Sequence, residues 1–157
     1  MKFFIILFYV CAIQYATEKN NLSFLYFLLS EHNFINDNTL TGNVKIWKIS
    51  IPLSISKIIP YSYNGCRSLT RISIPPSVTE IGDFAFYECI SLTKISIPSS
   101  ITKIGNSVFS KCYSLKTISI PATVTIIGSN AFEECYSLEK ISIPPSIKII
   151  KSFAFKK

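Results

Sequence analysis

The side chains best suited by type to chemistry are the cysteines, and four of the five, Cys66, Cys89, Cys112 and Cys135, recur at a fixed interval of 23 residues. Thiols stacked one repeat apart have two chemistries open to them, disulfide formation and ligation of a soft metal. The sequence holds no Cys-x-x-Cys pair, and His32 is its only histidine, so the usual zinc ligand spacings are missing. Adjacent disulfides would strain a regular stack, whereas free cysteine packs readily as a small buried side chain. The four are read as a structural column, with an occasional oxidised pair open to them if the protein is exported.

Nucleophilic catalysis lacks a base, because no histidine accompanies any repeat cysteine and His32 lies outside the repeats. The carboxylates Glu80, Asp83, Glu88, Glu133, Glu134 and Glu139 fall at turns and outward positions, where a solvated role is expected. No P-loop, GxGxxG or HExxH pattern is present. The residues therefore point to a protein that is not an enzyme, with no cofactor, no metal and no small-molecule substrate.

The cysteine interval is one column of a longer pattern. From Cys66 the chain reads CRSLTRISIPPSVTEIGDFAFYE, then CISLTKISIPSSITKIGNSVFSK, CYSLKTISIPATVTIIGSNAFEE and CYSLEKISIPPSIKIIKSFAFKK, with no insertion. One period upstream, NVKIWKISIPLSISKIIPYSYNG keeps the isoleucines and the first proline, puts Tyr63 in the phenylalanine column and has Asn43 in place of cysteine. Residues 43–157 are thus one array of five units, 43–65, 66–88, 89–111, 112–134 and 135–157.

Each unit predicts a short strand. Leu69 to Ile74 is rich in β-branched residues and closed by Pro75, with Leu69, Ile72 and Ile74 inward and Arg71 and Ser73 outward. Val78 and Ile81 return to the core, Gly82 is expected to permit a tight bend, and Ala85 with Phe86 packs a short extended or helical return. Lys151 replaces that glycine in the last unit, where a looser bend is expected. A single unit cannot bury its apolar face, so the units must stack, pairing their strands in parallel about 4.8 Å apart. Burial of each ring in the column Phe86, Phe109, Phe132 and Phe155 should contribute on the order of 2–3 kcal/mol.

The L-x-x-I-x-I core resembles the leucine-rich repeat, and the longer pattern C-x-S-L-x-x-I-x-I-P-x-S-V-T-x-I-G-x-x-A-F resembles its BspA-like subclass. Unlike the general leucine-rich pattern, the cysteine precedes the leucine by three residues, and no asparagine or cysteine follows the strand. The resemblance implies a right-handed solenoid with a parallel sheet on one face and short extended or helical returns on the other. It also implies a surface or secreted protein engaged in adhesion and protein binding.

The binding surface expected on that scaffold is the outward side of the strands. One column holds Lys48, Arg71, Lys94, Thr117 and Lys140; the next holds Ser50, Ser73, Ser96, Ser119 and Ser142, with Trp47, Thr70, Thr93, Lys116 and Glu139 alongside. A cation row at strand spacing suits an acidic protein surface, a sulfated glycan or phosphates; the same lysines would also keep an open sheet soluble and block edge pairing. The net charge of +7 is spread out with no basic block, and aromatic side chains for base stacking are missing apart from Trp47. The expected ligand is a protein or glycan, acidic in character, and not a nucleic acid.

Residues 1–42 differ in character. Lys2 leads an apolar run from Phe3 to Ile13, polar residues begin at Gln14, and Ala16 suits a cleavage site, so residues 1–16 read as a secretory signal peptide. The alternative is a buried segment capping the solenoid in a cytoplasmic scaffold whose cysteines stay reduced. Residues 17–42 read as an N-terminal cap or linker, its apolar run Leu22 to Leu29 covering the first unit. Asn21-Leu22-Ser23 is a glycosylation sequon if the chain enters the secretory route, which makes Asn21 the modification candidate. At the other end no polar unit follows Phe155-Lys-Lys. Three explanations are open for that edge: a neighbour covers it, the chain self-associates there, or the sequence is a shortened member of its family.

Overall fold

The computed structural model describes residues 48–51 and 53–157, and the described chain is a solenoid of parallel strands. Strands β1 (Lys48–Ser50), β3 (Arg71–Ser73), β5 (Lys94–Ser96), β7 (Thr117–Ser119) and β9 (Lys140–Ser142) form one five-stranded sheet in that order. Pairing is parallel and shifts by one unit each time, Arg71 opposite Lys94 and Lys94 opposite Thr117. An unbroken 23-residue period enforces this register, since a slip of one residue would turn every inward isoleucine outward. The strands are three residues long, shorter than the predicted Leu69–Ile74 segment, yet Leu69, Ile72 and Ile74 are buried and Arg71 and Ser73 exposed, as the alternation requires.

A second strand in each unit is legible only in the structure. The pairs β2 (Lys57–Ile58) with β4 (Glu80–Ile81), and β6 (Lys103–Ile104) with β8 (Ile126–Ile127) and β10 (Ile149–Ile150), make a two- and a three-stranded parallel sheet. The rest of each return is turn, with no helix among the described residues. Each return is therefore a two-residue strand followed by turns, and the helical option is not taken.

These turns stay ordered because they bond across the coils. Phe84, Phe86 and Glu88 donate their N–H groups to the carbonyls of Asn106, Val108 and Ser110 at 3.0 Å each, and Ser107, Phe109 and Lys111 repeat this to Ser129, Ala131 and Glu133. To aim alternate N–H groups at the next coil, the backbone turns left-handed twice per unit: at Tyr61, Phe84, Ser107, Asn130 and Phe153, and at Gly65, Glu88, Lys111 and Glu134. A left-handed non-glycine residue costs about 1–2 kcal/mol, which the inter-coil bonds offset.

The glycine of the three middle units does a different job from the one expected. Gly82, Gly105 and Gly128 do not have left-handed backbone; the bend lies two residues later. They are glycine because the coils approach closely there. A Cβ on Gly82 would lie 2.5 Å from the nitrogen of Pro60, and one on Gly105 would lie 2.5 Å from Oδ1 of Asp83. At Lys151 no looser bend is evident in the backbone bonding: its N–H reaches Ile127 at 2.9 Å, against 2.8 Å from Gly128 to Ile104.

The core is a set of columns running through all coils. Tyr63, Phe86, Phe109, Phe132 and Phe155 stack with centroids 5.3, 5.6, 5.5 and 5.3 Å apart and planes within 16°. Burial pushes the Tyr63 phenol up to about 12. Cys66, Cys89, Cys112 and Cys135 form the neighbouring column, all buried. The thiols of Cys89, Cys112 and Cys135 are free, and each donates to the carbonyl 26 residues back, of Tyr63, Phe86 and Phe109, at 3.1, 3.2 and 3.1 Å. Cys66, at the head of the column, is not among the free thiols. On the last coil Ile143, Ile149, Ile150 and Phe153 are exposed, although Ile74, Ile97 and Ile120 bury the position that Ile143 holds.

Candidate binding face on the five-stranded sheet

Alternation along three-residue strands leaves two side chains per unit on the outer face, and the shared register lines them up across the sheet. Lys48, Arg71, Lys94, Thr117 and Lys140 stand in one exposed column. Ser50, Ser73, Ser96, Ser119 and Ser142 stand in the next, all exposed. The fold thus brings together every sheet-face candidate among the described residues. Trp47 and Asn21 lie outside them, as do the expected signal segment 1–16 and the expected cap or linker 17–42.

The flanking column is mixed. Thr70 and Thr93 are half-buried, with the Thr93 hydroxyl donating to the Thr70 carbonyl at 3.2 Å, while Lys116 and Glu139 are exposed. Thr93 is thereby tied to the scaffold, while Lys116 and Glu139 add one exposed charge of each sign beside the first column.

Among the described residues no ion pair neutralises the charges of the first column. Among the described residues, ion pairs join Lys57 to Glu80 at 2.9 Å, Arg67 to Glu88 at 3.0 Å, Lys111 to Glu88 at 3.6 Å and Lys156 to Glu133 at 3.7 Å. None of these pairs involves Lys48, Arg71, Lys94 or Lys140. Glu80, Glu88 and Glu133 are thus occupied elsewhere, and Asp83, expected to be solvated, instead accepts the backbone N–H of Asn106 at 2.8 Å and its side-chain amide at 2.9 Å.

The three free thiols of the cysteine column are not poised as nucleophiles. Burial raises all three free thiols, Cys135 to about 12 and Cys89 and Cys112 well above the ordinary range, so the nucleophilic thiolate is suppressed. Among the described residues no three His, Cys, Asp or Glu side chains gather as metal ligands.

Two residues near the face were missed from sequence. Tyr113 and Tyr136, each four residues before its strand, stack at 5.5 Å and remain exposed. The signal was the residue after each cysteine, which runs Arg67, Ile90, Tyr113, Tyr136 and so becomes aromatic only in the last two units.

The solenoid, its strand register and its column chemistry match a known family: residues 33–157 match the BspA type leucine rich repeat region in 6 copies. The chain belongs to the BspA-type leucine-rich repeat family. Solved structures of similar fold include a leucine-rich repeat protein from Bacteroides ovatus, 36% identical over 69% of this chain with a TM-score of 0.65. The Treponema pallidum leucine-rich repeat protein is 35% identical over 71% of this chain, with a TM-score of 0.69. A leucine-rich cell surface protein from Faecalibacterium prausnitzii is 33% identical over 69%, with a TM-score of 0.64. The present chain covers 30%, 55% and 32% of these three proteins, so it spans only part of the length of each. No functionally curated protein matches it.

Proposed function

We propose that this chain is a non-catalytic binding protein, exported or displayed on the cell surface, that holds a macromolecular ligand on the outer face of its five-stranded sheet. One observation carries this reading. Lys48, Arg71 and Lys94 occupy directly opposed positions on adjacent strands and no ion pair neutralises them among the described residues. Like charges directly opposite one another destabilise a sheet, so the row costs stability within the fold and acquires a use when an anionic partner binds. Lysine as a guard against edge pairing accounts only for the outer strands β1 and β9, whereas Arg71 and Lys94 lie on the inner strands β3 and β5.

Support for an exterior location comes from the similar Faecalibacterium protein, described as a cell surface protein, and from the lysine-led apolar segment at residues 2–13. The test is the mass and N-terminal sequence of the protein from its native cells, with binding of those cells to host matrix. A mature start at Thr17 and matrix binding lost on Arg71→Glu with Lys94→Glu are expected. A retained Met1, together with unchanged binding by the variant, rejects the reading and moves the search to cytoplasmic partners.

A further inference from the structure

We infer that the ligand of this sheet is a sulfated polysaccharide lying along the solenoid axis, across the strands. The inference rests on the sheet-face reading above and names the partner class. Lys48, Arg71, Lys94 and Lys140 form a row that runs perpendicular to the strands. Four strand spacings of about 4.8 Å give it a length of about 19 Å, the footprint of a chain molecule instead of a single ion.

The composition of the face selects among polyanions. Protein partners are held by buried aromatic and apolar anchors, with charge mainly steering the encounter. On the strands β1, β3, β5, β7 and β9 every outward side chain is Lys, Arg, Ser or Thr, and the exposed Tyr113–Tyr136 pair precedes the last two of these strands by four residues, so the charged row itself offers a protein no apolar anchor. Single-stranded nucleic acid is held by bases stacking on aromatic platforms, and these strands present none. A sulfated polysaccharide needs neither. Its sulfates take charge-assisted hydrogen bonds from Arg71 and the lysines, and its hydroxyl and ring oxygens meet the parallel row of Ser50, Ser73, Ser96, Ser119 and Ser142. Regular presentation by a rigid sheet also reduces the ordering cost on the protein side.

The experiment uses the full chain and immobilised heparin as the probe. Three variants are compared: Arg71→Glu with Lys94→Glu, the milder Arg71→Gln with Lys94→Gln, and Lys103→Glu with Lys148→Glu, which makes the same charge change away from this face. Thermal unfolding confirms that each is folded. The expected result is heparin affinity reduced about tenfold or more in the first pair, reduced less in the second, and nearly unchanged in the third. Wild-type binding should weaken steeply with added salt and should exceed binding to poly-glutamate. Equal losses in all three variants, or equal affinity for poly-glutamate, overturn the inference. Matrix binding before and after enzymatic removal of sulfated glycans separates the two levels. If the sheet variants lose binding but glycan removal changes nothing, the sulfated ligand is wrong and the sheet-face reading stands. If neither changes binding, both fail.

Discussion

A Cβ on Gly128 would lie 2.5 Å from both the carbonyl carbon and the carbonyl oxygen of Gly105, the equivalent residue one coil earlier. Both obstructing atoms are backbone, so neither can swing aside. Gly128→Ala is expected to destabilise the array by about 1–3 kcal/mol, the range for forcing atoms into a packed interior. Urea unfolding followed by far-ultraviolet circular dichroism measures it. An unchanged midpoint would show that the coils can separate locally at no cost.

The opposite sign is expected two residues beyond the preceding glycine. Ser107 has φ of 51°, a left-handed conformation that a Cβ penalises by about 1–2 kcal/mol. Glycine there removes that penalty but adds about 0.5–1 kcal/mol of unfolded-chain entropy. Ser107→Gly should therefore stabilise by roughly 0.5–1 kcal/mol, whereas Ser107→Val should destabilise. The two midpoints, measured side by side in urea, decide it; stabilisation by valine would contradict the backbone assignment.

Much of this organisation is readable from residue types because the period is constant. Once 23 is known, parallel pairing, the inward column of Ile72, Ile95 and Ile118 and the outward column of Arg71, Lys94 and Thr117 follow from strand alternation alone. Features that depend on the neighbouring coil are not readable. The short β4 strand, Glu80–Ile81, has too few residues to show an alternation. The left-handed column holds Tyr61, Phe84, Ser107, Asn130 and Phe153, of which only Asn130 is a type that favours that conformation. Gly82 signalled a bend when its true constraint is Pro60 of the previous coil. Likewise the cation column was visible, but its lack of ion pairs depends on where Glu80 and Glu88 find partners.

Hydroxyls after the strand-ending prolines clamp successive coils. Ser77 donates to Ile55, Thr123 to Ile101 and Ser146 to Val124, each at 2.8 Å, and Ser100 donates to Val78. Thr123→Val keeps the shape and removes the donor, leaving the Ile101 carbonyl without this bond. A loss of about 0.5–1.5 kcal/mol is expected, and Thr123→Ser should recover most of it. Equal stability of the valine and serine variants would mean that the clamp contributes nothing.

Phe109 is sandwiched between Phe86 at 5.6 Å and Phe132 at 5.5 Å, and it is fully buried. Phe109→Ala should cost about 3–5 kcal/mol, whereas Phe155→Ala, stacked on one side only and partly exposed, should cost clearly less. Equal losses at the two positions would show that the array unfolds without regard to which coil is damaged. A larger loss at Phe109 is what nearest-neighbour stacking requires.

The buried thiol column should make the fold sensitive to alkali. Cys135 is raised from 9.0 to about 12 and Tyr63 from 10.0 to about 12, while Cys89 and Cys112 are raised further into the protonated range, all chiefly by burial. A raised folded value means that the folded state holds protons that the unfolded chain releases. The contribution is fully present below pH 9 and is lost as pH climbs through the folded values. Unfolding free energy should therefore be insensitive to these groups at neutral pH and fall progressively between about pH 9 and pH 12. Replacing Cys89, Cys112 and Cys135 together by alanine should flatten that decline while lowering stability at pH 7, because the columns lose volume and three bonds to carbonyls. A wild-type curve that stays level to pH 12 would show that the thiols ionise without unfolding the coils, and so that water reaches the column.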